Sequence, residues 1–101
     1  MLLACRTVSG KTPRDGRVEI PKRGADALAE SGASFDVEFA GARTVGSTGT
    51  MSCRCRGSDD EHVHYFVESP VLMALIPGSN VDLEFDPGER LVRVAPALVV
   101  R

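Results

Sequence analysis

Apolar and polar residues alternate most clearly over residues 34–39, where Phe35, Val37 and Phe39 share one face and Asp36 and Glu38 the other. That period of two is the signature of a half-buried strand. It returns at Val81, Leu83 and Phe85 around Asp82 and Glu84, and in shorter form at Arg17-Val18-Glu19-Ile20, where Val18 and Ile20 point inward until Pro21 stops the ladder. Helical spacing lies between these runs. From Lys22 to about Glu30 the apolar positions Ala25, Leu28 and Ala29 fall on one side, with Gly32 as a left-handed exit. Ser69-Pro70 supplies an N-cap and a first-turn proline; Val71, Leu72, Leu75 and Ile76 form a second stripe, and Gly78 ends it. Leu2–Val8 reads as a first strand, Ser9–Gly16 as an exposed basic loop of turn residues, and Leu91–Val94 as a strand returning from the turn Asp86-Pro87-Gly88-Glu89.

The two sets of elements are nearly the same set. A shift of 47 lays Val18-Glu19-Ile20-Pro21 on Tyr65-Phe66-Val67-Glu68, and a shift of 46 lays Gly32 through Phe39 on Gly78 through Phe85. Neither copy can bury a sheet face alone, so the duplication predicts one shared core. The expected fold is mainly β: a seven-stranded pseudobarrel with two short helices, built from a duplicated strand-strand-helix-strand unit. The whole chain, 1–101, is one domain, with repeat 1 at about 1–41 and repeat 2 at about 42–94.

Composition agrees with an ordinary globular domain, 43% hydrophobic and 26% charged. Three cysteines are an odd count, and Cys53 and Cys55 lie too close along one strand for a good mutual disulfide, which favours a reducing, cytoplasmic setting. Leu2-Leu3-Ala4-Cys5 has the look of a lipoprotein cleavage box, but no basic segment or long apolar stretch precedes it. No apolar run approaches the ~18 residues of a membrane span, so a soluble protein is expected. The net charge of −2 is unevenly spread: residues 1–57 carry nine Lys or Arg against six acids, and residues 58–101 carry three against eight. Such polarity suits a basic face turned toward phosphates, or solvated charge with no partner.

Between the copies lies a segment rich in metal-ligand chemistry, Met51-Ser52-Cys53-Arg54-Cys55 and His62-Val63-His64-Tyr65-Phe66. A two-residue turn at Ser58-Asp59 pairs Cys55 with His62, Cys53 with His64 and Met51 with Phe66, all on one face. Opposed residues of a hairpin stand about 4.5–5.5 Å apart at Cβ, so Cys53, Cys55, His62 and His64 could surround a tetrahedral Zn²⁺. A second packed apolar surface made with Met51 and Phe66 is the competing reading of that face. No oxyanion hole or orienting acid accompanies the Cys/His pair, and no enzymatic activity is expected.

Thr7-Val8-Ser9 followed by Asp15-Gly16-Arg17-Val18-Glu19-Ile20-Pro21-Lys22, a short helix, Gly32 and an acidic-apolar strand resembles the AbrB/SpoVT-type DNA-binding motif. Tyr65-Phe66-Val67-Glu68, Leu72, Leu75, Pro77-Gly78, Val81 and Leu83-Glu84-Phe85 are similar to the second half of the plant auxin-response-type pseudobarrel, whose bacterial relatives are effector modules of restriction endonucleases. The resemblance implies a DNA-binding pseudobarrel gripping duplex DNA with two arms. The first arm would be Lys11, Arg14 and Arg17 with Lys22 and Arg23; the second would be Arg54 and Arg56. Asp59, Asp60 and Glu61 in the middle hairpin repel phosphate, and neither arm holds an aromatic residue. The expected function is a DNA-binding module of a bacterial-type regulator or effector, as monomer or homodimer. The alternative is a protein-interaction or structural adaptor, with or without a hairpin zinc site.

Overall fold

The computed structural model describes residues 1–30, 34–53 and 62–97. Seven strands, β1 (Leu2–Thr7), β2 (Arg17–Ile20), β3 (Phe35–Phe39), β4 (Ala42–Cys53), β5 (His62–Glu68), β6 (Asn80–Asp86) and β7 (Leu91–Pro96), join in one sheet in the order β1-β6-β7-β3-β4-β5-β2. The sheet curls until β1 and β2, its two ends, approach each other, and Arg6 of β1 reaches Glu19 of β2 across that seam at 3.7 Å. The expected mainly β, barrel-like architecture is what forms. No helix among the described residues is long and apolar enough to cross a membrane.

Inward residues of six of the seven strands meet in one core, while none of the described side chains of β4 is fully buried. Val18, Ile20, Phe35, Val37, Val67, Leu83, Phe85 and Val92 are all buried, each at an alternating position of its strand, and Leu3 is buried at the irregularity of β1. Two helical elements close the barrel around Leu28 and Leu72, both fully enclosed.

The strand partners exchange between the halves. β1 lies antiparallel to β6 and β4 to β3, while β2 pairs with β5 so that Glu19 faces Phe66, the residues that the shift of 47 superposes. This is the pattern of an approximate two-fold relation. β7 stands outside it, inserted parallel to β3 and antiparallel to β6.

Four local expectations change. Within the expected loop at 9–16, Lys11–Asp15 forms a short helix, α1, closed by Gly16 at φ 68°, whose N–H reaches the Thr12 carbonyl at 2.7 Å. Pro13 sits in the first turn, where its missing N–H costs no hydrogen bond. The helix α2 (Lys22–Glu30) forms as expected, but it buries Gly24, Ala25 and Leu28 and leaves Ala29 exposed. Gly24 lies against β1: a Cβ there would stand 3.3 Å from the Leu3 carbonyl oxygen. The second helix is a single 3₁₀ segment, η1 (Pro70–Ala74), whose tighter winding and early end leave Ile76 exposed. Ser69 occupies the N-cap position without capping; its hydroxyl turns to β4 and donates to the Val45 carbonyl at 2.9 Å, while Thr44 Oγ1 accepts from the Val71 N–H.

Candidate functional site

The residues of β2 and β5 that face away from the core build one wall of an open groove. Val18 pairs with Val67 and Ile20 with Tyr65 on the inner face, so alternation sends Arg17, Glu19, His64 and Phe66 outward. β4 adds Met51, which stands opposite His64. The facing wall comes from the end of β1, with Arg6 and Thr7, and from Ser9, Gly10, Lys11, Thr12 and Arg14. The cavity between them measures about 650 Å³. α1 positions Lys11 and Arg14 on this wall by burying Thr12 and anchoring Gly16 beside η1.

Four cations from three separate segments therefore line one concavity: Arg6, Lys11, Arg14 and Arg17. Their states differ. Arg14 Nε donates to Asp15 Oδ1 at 3.1 Å; this bond holds the Asp15 carboxyl below the usual carboxylate range and raises the Arg14 guanidinium in return. The Arg17 guanidinium lies over the Phe66 ring, 4.5 Å from its centroid, and 3.8 Å from Asp15. Lys11 is exposed and acts on Asp15 only through its field, with no direct salt bridge among those of the described residues, so its ammonium can meet an anion. Glu19 is the acid of the groove. Its carboxylate sits between Arg6 and His64, with His64 Nδ1 at 3.0 Å.

The residues assigned to the first arm thus divide. Lys11, Arg14 and Arg17 come together, whereas Lys22 and Arg23 sit exposed on α2 away from the groove, Lys22 paired to Asp26 at 3.4 Å. Arg54 and Arg56 lie outside the described residues. Arg6, Glu19 and Phe66 join the site although arm-by-arm reasoning passed them over. The signal available for Glu19 and Phe66 was their shared outward parity; Arg6 reaches the site only through the closure of the barrel.

The hairpin register differs by two residues from that expected of a Ser58-Asp59 turn. Cys53 stands opposite His62 and Met51 opposite His64, so Cys53 does not face His64 and Met51 does not face Phe66. Phe66 lies opposite Gly49. Cys55 falls outside the described residues, and His64 is engaged by Glu19. Among the described residues no group of three or more His, Cys, Asp or Glu could hold a metal ion.

A second concavity of about 410 Å³ lies between α1, β4 and η1. Its lining is largely apolar, with Val45 66% and Met73 54% exposed. Comparison with protein-family models, with characterised proteins and with solved structures finds no match to this chain.

Proposed function

We propose that this chain is a DNA-binding module, carrying no reaction of its own, that grips the phosphates of duplex DNA with the groove cations Arg6, Lys11, Arg14 and Arg17. The observation that carries the reading is the convergence of these four side chains from β1, α1 and β2 on one open concavity. Clustered cations in a concave wall focus the field toward a polyanion, and guanidinium groups pair phosphate oxygens two at a time. The exposed Lys11 and Arg14 are placed to make first contact.

The test is fluorescence anisotropy of a labelled duplex over a salt series. Each neutralised phosphate contributes about −0.9 to the slope of log K against log salt, so three or four contacts give a slope of roughly −3. Substituting Arg6, Lys11 and Arg14 together by Gln leaves Arg17 as the last of the four cations and should reduce the slope to about −1 or less steep. Absence of duplex binding at low salt, or binding indifferent to salt, removes the reading.

The second reading, a protein-interaction adaptor, is favoured by the apolar concavity around Val45 and Met73. Recovery of one stoichiometric protein and no nucleic acid on purification supports it. A zinc site on the hairpin belongs with either reading. Metal analysis of chelator-free protein decides it, with about one equivalent of zinc expected if the site exists.

A further inference from the structure

A groove made only for phosphate would carry cations throughout, and this one does not. Beside Lys11 and Arg14 its lining includes Phe66, Met51 and Glu19. We infer that the groove seats one unpaired nucleotide, its base stacked on the Arg17 guanidinium and its phosphates held by Lys11 and Arg14. This inference rests on the nucleic-acid reading above and names the part of the ligand that occupies the groove.

The Arg17–Phe66 stack provides the platform. With the ring 4.5 Å beneath it and Asp15 at its side, the guanidinium is fixed by two neighbours. The side chain is still 28% exposed and lines the groove. A guanidinium is planar and weakly hydrated, and bases unstacked from a helix settle on such planes as they do on aromatic rings.

Glu19 separates a base from a phosphate as occupant. Its side chain is 40% exposed, and beyond the bond to His64 and the Arg6 contact the carboxylate keeps accepting capacity. A phosphate pushed onto it would be repelled. An exocyclic amino group of cytosine, adenine or guanine would donate to it, and thymine has none to offer. The volume of about 650 Å³ falls within the roughly 300–1,000 Å³ of sites that hold small organic ligands. A base paired inside a duplex cannot reach the platform, so the nucleotide must come from an overhang, a gap or an extruded position.

The experiment measures anisotropy of the full chain with three probes: a blunt duplex, the same duplex with a single-stranded cytosine overhang, and the overhang strand alone. Stacking of one base predicts the overhang duplex to bind roughly tenfold tighter than the blunt one. Arg17→Lys keeps the charge and removes the plane, so the ratio should fall to near one. Glu19→Gln should abolish a preference for cytosine over thymine overhangs. Should Arg17→Lys fail to fold by circular dichroism, Phe66→Leu, which removes the ring beneath the guanidinium, replaces it with the same expected loss of ratio. Equal binding of blunt and overhang duplexes, or a ratio unchanged by these variants, overturns the inference and leaves the duplex reading standing. Binding to the single strand without binding to blunt duplex keeps the inference and removes the duplex grip. Binding to none of the three removes both.

Discussion

Two glycines of β4, three residues apart, show how one added methyl group can have opposite consequences. Gly46 faces the core: a Cβ there would stand 2.5 Å from Cε2 of Phe35 and 2.7 Å from Cγ2 of Val37, both buried side chains with no free direction to move. Overpacking of this kind costs about 1–3 kcal/mol, and Gly46→Ala is expected to lower the unfolding free energy by that amount, seen as a lower urea midpoint with the slope of the transition unchanged. At Gly49 the obstruction is the carboxylate of Glu68, the far end of a flexible side chain that is only half-buried. Glu68 can swing aside, so Gly49→Ala should change stability by no more than about 0.5 kcal/mol in the same measurement. A Gly46→Ala variant as stable as the wild type would mean that the β3–β4 contact is looser than this packing requires. Neither role could be read from the sequence, where both glycines sit in an uncharged run of small residues and nothing marks which one meets a ring.

At the scale of elements, the legible features were those with a strict period. β3 and β6 alternate over five or more residues, and α2 keeps its apolar spacing, so each forms where expected. α1 was hidden because Gly10, Pro13 and Gly16 spell a loop to local rules, while burial of Thr12 against the barrel decides for a helix. The β4–β5 register was two residues off because a turn chosen from sequence alone fixes pairing only if its type is right. The turn between β6 and β7 was legible and carries a pH prediction. Asp86 Oδ1 accepts from the N–H of Gly88 at 3.0 Å and of Glu89 at 3.3 Å, and these bonds, led by the one from Glu89, hold its carboxyl below the ordinary value, with Arg93 assisting. A carboxyl depressed in the folded state stabilises the fold above its unfolded pKa of about 3.9, and that contribution fades as pH falls through the folded value. Asp86→Asn keeps an acceptor for the turn but cannot ionise. The stability gap between wild type and variant should therefore be constant near neutrality and close below about pH 4, as followed by thermal melts across pH. A gap that widens on acidification would reverse the sign assigned here.

For the whole molecule, the sequence reading of two similar halves around one core understated how fully they depend on each other. β1 pairs with β6, β2 with β5, and β3 with β4 and β7; among the described residues of 1–41 no two strands are hydrogen-bonded to each other. The site inherits this dependence, since Arg6, Lys11, Arg14, Arg17 and Glu19 come from the first half and Met51, His64 and Phe66 from the second. Only the basic bias of the first half was visible in the sequence; the cavity itself exists only once β5 lies beside β2. The chain cut between Gly41 and Ala42 tests the interlock directly. The described residues of 1–41 make no ladder among themselves, so this fragment should show no sheet signal by circular dichroism when alone. Residues 42–101 retain β4–β5 and β6–β7 but lose the partners that cover Val67, Leu83 and Val92, so they should be soluble only poorly and melt without a cooperative transition. Mixed or co-expressed, the fragments should recover the sheet signal and one cooperative melt, because the severed connection is a tight turn on the surface, where Ala40 and Gly41 both have positive φ, and the cross-half ladders stay intact. Independent folding of residues 1–41 would contradict this topology, because a stable first half would need strand pairs that the whole molecule does not make.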